Sequence, residues 1–236
     1  RLVTCFLLFL TVSSWAADKP NIVVIVADDL GFNDISTFGG GIAGGQLKTP
    51  GIDRLAAEGA VFRQSYSGAS TCAPSRGMMM TGRYPARTGF EFTPMPSGMG
   101  RVTTLISAEM DNNMPASIWD KTIESSQPPY EQQGLPASET TIAEVLKQKG
   151  YYTAHIGKWH LGDEVAYRPN KRGFDEFYVH GAGGIGQSYL GSCGDFPGNN
   201  NINPTLLHND TVVKTEGYCT DLFFAQSMGV LTRAHG

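Results

Sequence analysis

The chain has 236 residues, enough for one large domain or two small ones. Hydrophobic residues make up 41% of the sequence and charged residues 17%, which is ordinary for a globular protein with a sizeable core. The formal net charge is −4 and no long run of Lys or Arg occurs, so we expect no nucleic-acid partner, which would need a basic face. A local pocket can still be positive on an acidic protein, so a small anionic substrate stays open.

The first residues have the pattern of an export signal. Arg1 is followed by the apolar run 2–12 and then by small residues over 13–17. This pattern predicts a signal peptide over residues 1–17 and a mature chain over 18–236; a buried N-terminal helix or an uncleaved anchor is the alternative. The run is short for a membrane span. We therefore expect an exported protein without a stable span in the mature chain: periplasmic or secreted, or lysosomal or extracellular in a eukaryote.

Two cysteines remain once the signal peptide and a motif described below are set aside. Cys5 lies in the predicted signal peptide and Cys72 in the motif, which leaves Cys193 and Cys219. Their spacing permits a disulfide in an exported protein but does not demand one. Residues 209–211 form a glycosylation sequon, which has meaning only in a glycosylating host.

An apolar run near the start predicts a buried strand that ends in an acidic pair. Apart from Asn21 at its start, the run 21–27 is continuously apolar and rich in β-branched side chains, as in strands buried on both faces of a parallel sheet. Asp28 and Asp29 follow at once. Ligands of open α/β folds lie outside the carboxyl ends of such strands, so the pair suits a functional site. A helix cap or a turn is the alternative.

The next elements alternate between helix and strand. A short helix is predicted from Thr49, which can cap it, to an exit at Gly59, and a strand over 61–66. A helix should begin near Pro74 and include three methionines, which we expect to pack in the core. Strands that alternate with helices predict a mostly parallel sheet.

The second half continues this alternation with two irregular segments. Thr141 and Glu144 fit a capping box at the start of a helix that Gly150 closes, and residues 151–156 predict the following strand. The proline-rich segment 89–136 breaks the alternation, and we interpret it as an ordered loop on the rim of the active site. Residues 181–203 predict a further loop, and 218–231 a final helix.

The most informative stretch is Cys72-Ala73-Pro74-Ser75-Arg76, at the expected start of a helix. Helix N-termini bind anions through free N–H groups and the helix dipole. A structural cysteine or a disulfide partner is the alternative reading of Cys72. The stretch resembles the site at which type I sulfatases, of the arylsulfatase kind, convert a cysteine to formylglycine.

A second stretch, residues 150–160, resembles the other sulfatase signature and contains Gly157-Lys158-Trp159-His160. Residues 49–55 and 173–177 also look like recurrent sulfatase segments. The resemblance runs from about residue 19 to the region of residue 221. It implies an α/β fold, with a largely parallel or mixed sheet flanked by helices as in relatives of alkaline phosphatase. Sulfatases normally continue further, so we expect an N-terminal portion of the catalytic domain that is poorly active alone.

The resemblance also implies a mechanism for hydrolysing sulfate esters. Cys72 becomes formylglycine, whose hydrate attacks sulfur with one hydroxyl and expels sulfate with the help of the other. Arg76 is implied to support the formylglycine, and Lys158 and His160 to contact the sulfate of the substrate. Such electrostatic stabilisation is often the largest catalytic effect. His155 is expected to pack or hydrogen-bond within its strand.

The same resemblance implies a metal and a modifying partner. Asp28 and Asp29 match metal ligands, and the metal also contacts the formylglycine made from Cys72. Carboxylates are the hard oxygen donors that Ca²⁺ and Mg²⁺ prefer, and Ca²⁺ is the usual ion in the family. A formylglycine-generating or equivalent enzyme is the implied partner.

Two other functions stay open. A phosphoester or phosphonate hydrolase of the same superfamily is the first, although such enzymes usually carry Thr or Ser at the position of Cys72. The second is a truncated, non-catalytic fragment that binds anions.

Overall fold

The computed structural model describes residues 19–40, 45–109, 115, 117–162, 164–180 and 203–234. The predicted signal peptide, Cys193 and nearly all of the predicted 181–203 loop lie outside these ranges. The chain divides into two compact units, residues 1–62 and 63–236, which we describe separately. Within the described ranges, every helix is too short or too polar to cross a membrane.

The first unit contains a predicted helix whose start is held in an unpredicted way. Helix α1 spans Pro50–Glu58, and two 3-10 turns, Phe32–Asp34 and Ser36–Phe38, precede it. Thr49 makes no side-chain capping bond; its hydroxyl instead lies 2.8 Å from the hydroxyl of Ser36, which donates to Asp53 at 2.5 Å. These bonds lower the pKa of Asp53, with the largest contribution from Ser36. Asp53 thus ties α1 to the preceding turns.

The predicted strand over 21–27 is wrong in this structure. These residues form no strand, and their side chains are exposed, with Val24 at 74%. A strand exists only where a neighbouring backbone accepts and donates its hydrogen bonds. The described strands all pair within residues 154–214, so the run lacks such a neighbour there. The predicted strand over 61–66 is absent for the same reason.

The second unit contains the other helices of the described residues. The long proline-rich segment, predicted as a loop, contains two helices, Met99–Ala108 and Lys121–Ser126, because short amphipathic stretches lie between its prolines. The helices at the capping box and at the end of the chain are confirmed. The bounds are α2 Cys72–Thr81, α3 Pro85–Thr88, α4 Met99–Ala108, α5 Lys121–Ser126, α6 Ile142–Gln148 and α7 Cys219–Ala234, with 3-10 turns at Tyr130–Gln132, Val165–Tyr167 and Pro169–Lys171.

A four-stranded mixed sheet forms the centre of the second unit. Strands β1 Ala154–Ile156, β2 Glu176–His180, β3 Thr205–His208 and β4 Thr211–Lys214 lie side by side in chain order. The β1–β2 pair is parallel, whereas β2–β3 and β3–β4 are antiparallel. The expected mixed sheet flanked by helices is therefore confirmed, but the described pairs are not mostly parallel. The β3–β4 hairpin was not predicted.

Side chains alternate along β2 between two apolar layers. Phe177 and Val179 join the larger core, while Tyr178 belongs to a second cluster with Leu206 and Cys219. This period of two is the geometry of a strand with both faces covered. The larger core also contains Ala73, Phe90, Leu135, Ala143, Trp159, Leu161, Phe174 and Leu207.

The three methionines of α2 have different surroundings, so the core prediction holds only in part. Met80 packs against the larger core. Met78 lies against Gly68, where an added Cβ would be 1.9 Å from its sulfur. Met79 is 44% exposed and does not pack in the core.

Candidate active site

The predicted nucleophile lies at the beginning of α2. Cys72 is the first residue of the helix rather than the residue before it, and it is partly exposed. Thr71 has the extended backbone of an N-cap but makes no side-chain capping bond. The first N–H groups of a helix have no partners within the helix, and the dipole favours an anion there. The position of Cys72 therefore suits a group that reacts with a sulfate ester.

Close packing fixes the orientation of α2. Ala73 and Pro74 are buried in its first turn. A Cβ added at Gly77 would lie 3.0 Å from Phe90, so glycine permits the close approach of these elements. Gly82 ends the helix with φ +67°, a conformation that favours glycine, and its N–H donates to the carbonyl of Met78. Cys72, the predicted nucleophile, therefore lies on a closely packed helix.

The second motif is the turn that follows β1. The N–H of Gly157 donates to the carbonyl of Tyr178 at 2.8 Å and so extends the β1–β2 ladder by one bond. Trp159 is 1% exposed, and its indole N–H donates to the carbonyl of Tyr167 at 2.9 Å. Because Trp159 is buried, it anchors the turn that carries Lys158 and His160.

His160 has an unusual backbone conformation. Its φ is +63°, and its side chain is almost fully buried at 4% exposure. A non-glycine residue in the left-handed region costs about 1 kcal/mol or more and persists only where its surroundings determine it. Such residues cluster at active sites, which agrees with the role predicted for His160.

One hydrogen bond joins the two motifs within the second unit. Nη1 of Arg76, in α2, donates to the backbone carbonyl of Lys158 at 2.6 Å. The structure therefore brings together Arg76 and Lys158, which were predicted from separate stretches of the sequence. The role of Arg76 beside the formylglycine stays a prediction, whereas its contact with the turn is observed.

His155 takes part in the same contact and was not among the predicted site residues. Its Nε2 lies 3.2 Å from the carbonyl oxygen of Lys158, and its ring contacts Trp159 edge-on. Burial, together with the nearby Arg76 guanidinium, lowers the pKa of His155 to about 4. The ring is therefore neutral at ordinary pH. The sequence predicted that His155 packs or forms a hydrogen bond, but not which atom it contacts.

The recurrent segment 173–177 contains the start of β2 and contacts Thr153, the residue before β1. Gly173 has φ +95°, and a Cβ there would lie 2.3 Å from the backbone nitrogen of Glu144, so only glycine fits. Asp175 accepts hydrogen bonds from the N–H and the hydroxyl of Thr153, at 3.0 and 2.9 Å. These contacts hold the start of β1 beside the start of β2.

Glu176 connects β2 to α7 and β3 through a buried carboxylate. It accepts hydrogen bonds from Tyr152, Gln226 and Arg233 at 2.6, 2.6 and 2.7 Å, and lies 3.1 Å from Nε2 of His208. Burial alone would raise the pKa of Glu176, but these hydrogen bonds outweigh it and lower the pKa. This carboxylate stabilises the sheet rather than reacting.

The acidic pair lies in the first unit, immediately after the exposed apolar run. Asp28 and Asp29 form a turn, in which Asp29 has φ +59°. Each offers a carboxylate oxygen, the ligand that Ca²⁺ and Mg²⁺ prefer, so these two residues fit a hard cation. The thiol of Cys72 is a soft ligand and does not suit such an ion. An oxygen at position 72, as in hydrated formylglycine, would suit it.

The chain belongs to the sulfatase family. The family model described as Sulfatase matches residues 20–235, which is nearly the whole chain. Arylsulfatase G of Mus musculus is 37% identical over 185 residues, or 78% of this chain and 27% of that protein. Steryl-sulfatase of Homo sapiens is 36% identical over 186 residues, or 76% of this chain and 26% of that protein. The chain thus spans about a quarter of the length of these relatives.

Two solved structures have a similar fold. A crystal structure of Ps i-CgsB superposes with a TM-score of 0.66 at 30% identity and covers 92% of this chain and 42% of that one. A second structure of Ps i-CgsB, in complex with k-i-k-neocarrahexaose, gives a TM-score of 0.65 at 28% identity over the same shares of the two chains.

Proposed function

We propose that this chain is part of a type I sulfatase that hydrolyses sulfate esters with a formylglycine made from Cys72. The observation that carries the proposal is the hydrogen bond from Arg76 to the carbonyl of Lys158. It links the helix that begins with Cys72 to the turn that carries Lys158 and His160. Membership of the sulfatase family supports the reaction class.

Different residues of this chain carry different steps of the proposed reaction. Hydrated formylglycine at position 72 supplies one hydroxyl to attack sulfur and a second hydroxyl whose deprotonation expels sulfate. The N-terminus of α2 favours the negative charge of the substrate. Lys158 and His160 donate to the sulfate oxygens, and one of them assists the departure of the leaving oxygen. Donors that are held in place before the reaction cost no reorganisation during it.

Asp28 and Asp29 are proposed to hold a divalent cation, Ca²⁺ rather than Mg²⁺, together with an oxygen of the converted residue 72. When bound, the ion supplies positive charge to the formylglycine and the sulfate. The support is the donor chemistry of the pair, its position after an apolar run in this sequence, and its match to metal ligands in the sulfatase resemblance. We further propose that the mature protein begins at residue 18 after export, and that a formylglycine-generating enzyme converts Cys72.

The decisive experiment compares an aryl sulfate with an aryl phosphate. The full-length protein that contains this chain is produced together with a formylglycine-generating enzyme, and Cys72→Ala serves as the matched control. We expect turnover of the sulfate, little turnover of the phosphate and none by the variant. Faster turnover of the phosphate would favour a phosphoester hydrolase, and sulfate binding without turnover would favour an anion-binding protein.

Mass spectrometry of the peptide that contains residue 72 tests the modification independently. We expect the mass of formylglycine in a host shown to modify other sulfatases. Finding only cysteine or a disulfide there would overturn the assignment of a formylglycine nucleophile to position 72. Because relatives are named for aryl, steryl and N-acetylgalactosamine-6-sulfate substrates, a panel of all three identifies the substrate class.

A further inference from the structure

The carbonyl oxygen of Lys158 is approached by two side chains from different elements. Arg76, in the second turn of α2, donates to it at 2.6 Å. His155, in the middle of β1, places Nε2 3.2 Å from the same atom. A carbonyl oxygen has two lone pairs and can accept both bonds. Because the oxygen can only accept, Nε2 of His155 must carry a hydrogen.

We propose that Arg76 and His155 are positioning residues that jointly hold the Lys158 carbonyl and so set Lys158 and His160 relative to Cys72. The inference rests on the proposed function for its catalytic meaning. It adds His155 to the residues on which the reaction depends. It also assigns Arg76 a structural contact with the sulfate-binding turn.

The backbone of the turn explains why such a restraint is useful. Gly157 and His160, on either side of the held carbonyl, have φ of +102° and +63°. Left-handed conformations are sparsely populated for residues with a side chain, so the turn needs contacts that favour this one conformation. Both β1, through His155, and α2, through Arg76, contact the carbonyl that lies between these two residues.

The ring of His155 is itself held in place. It lies 4.9 Å from the ring of Trp159 and 5.3 Å from that of Phe174, measured between centroids. Both neighbours are buried. A neutral ring also avoids repulsion from the guanidinium of Arg76, which shares the acceptor. The donor is therefore fixed in direction before substrate binds.

The consequence for catalysis follows because only a few covalent bonds separate the Lys158 carbonyl from the side chains of Lys158 and His160. The carbonyl carbon of Lys158 is bonded to the Cα that carries its side chain and, through Trp159, leads to His160. A displacement of about 1 Å in a positioned group can cost about 100-fold in rate. Loss of one neutral hydrogen bond, with that of Arg76 retained, should cost less, about 5- to 10-fold.

The test compares two substitutions of similar size in the full-length protein. His155→Leu removes the donor, whereas His155→Gln removes the ring but keeps an N–H donor at a similar reach. We expect kcat for an aryl sulfate to fall by about 5- to 10-fold in the Leu variant, with a smaller change in KM, and to recover in the Gln variant. Equal losses in both variants would show a packing role, and unchanged kcat in the Leu variant would also overturn the proposal.

Two readouts do not depend on turnover. Hydrogen exchange at the amides of residues 158–161 should be faster in the Leu variant and return to the parent rate in the Gln variant. NMR of the unsubstituted protein should find a hydrogen on Nε2 of His155 and none on Nδ1 at neutral pH; the opposite tautomer would overturn the proposal even if both variants failed to fold. If the parent turned over no sulfate ester, the proposed function would fail while these measurements still decided the positioning role.

Discussion

Residues 19–29 and residues 153–160 are built alike in sequence but differ in structure. Each contains a predicted strand that is followed by polar residues of the predicted site. Residues 154–156 form β1, pair with β2 and lead into a turn that Trp159 anchors in the core. Residues 21–27 form no strand and remain exposed. An apolar run thus supplies only the tendency to form a strand, and a neighbouring backbone and a packed face complete it.

This structural difference bears on function, because the two groups of predicted site residues are held to different degrees. Lys158 and His160 are held by backbone pairing, by a buried indole and by the contacts of Arg76 and His155. Asp28 and Asp29 follow a segment that forms no strand and whose apolar side chains are exposed. The turn that carries Lys158 and His160 is therefore fixed within the second unit by interactions that substitutions can remove one at a time.

The largest expected effect is on activity when the turn loses one of the two side chains proposed to donate to sulfate. Lys158→Ala or His160→Ala in the full-length enzyme should lower kcat/KM by about 100- to 1000-fold, as removal of a preorganised donor typically does. Lys214→Ala, at an exposed position on β4, is the matched control and should be neutral. Near-parental kcat/KM in both site variants would contradict their assignment to the sulfate.

The next effect is on stability, at the carboxylate that joins β2 to its neighbours. Glu176→Ala should lower the free energy of unfolding by about 3 kcal/mol, because Tyr152, Gln226 and Arg233 together lose their hydrogen bonds to one buried carboxylate. Glu58→Ala, which removes only an exposed ion pair with Arg54, should change it by less than about 1 kcal/mol. Denaturant unfolding of both variants measures the difference, and equal effects would refute the role of Glu176.

A matched pair of valines tests the comparison itself. Val179, in β2, is fully buried, whereas Val24 is 74% exposed. Val179→Ala should lower the free energy of unfolding of this chain by about 2 kcal/mol, since it leaves a cavity in the core. Val24→Ala should change it by less than about 0.5 kcal/mol, as surface substitutions usually do. A large loss for Val24→Ala would mean that the apolar run is covered in solution.

The motifs made the second half of the site predictable. A capping box, a glycine exit and an apolar strand located α6 and β1, because those signals act over a few residues. The same rules were wrong for residues 21–27 and 61–66, because pairing depends on distant parts of the chain. A packing or hydrogen-bonding role was expected for His155, but its partner could not be predicted for a related reason: the partner is the backbone oxygen of Lys158, and composition does not show where a backbone atom lies.

The β3–β4 hairpin shows a signal that was available but unused. Asn209 and Asp210 both have positive φ, at +45° and +67°, and such residue pairs favour the tight turns of hairpins. Asp210 also accepts hydrogen bonds from Arg168 and Asn170, which lie in the connection between β1 and β2. The turn residues could have been predicted from sequence, whereas the contacts that secure them could not.

The smallest expected effect is a pH dependence of stability that depends on Glu176. Its pKa in the folded protein is lowered below the ordinary value of 4.5, so the folded state binds fewer protons than the unfolded state in this range. The stabilisation is therefore complete above pH 4.5 and is lost as the pH falls through the lowered pKa. Glu176→Gln should remove this contribution. The difference in unfolding free energy between parent and variant should stay constant from about pH 7 to about pH 5 and shrink below that. Denaturant unfolding across this range checks it, and a difference that grows on acidification would reverse the sign and contradict the hydrogen-bonded carboxylate.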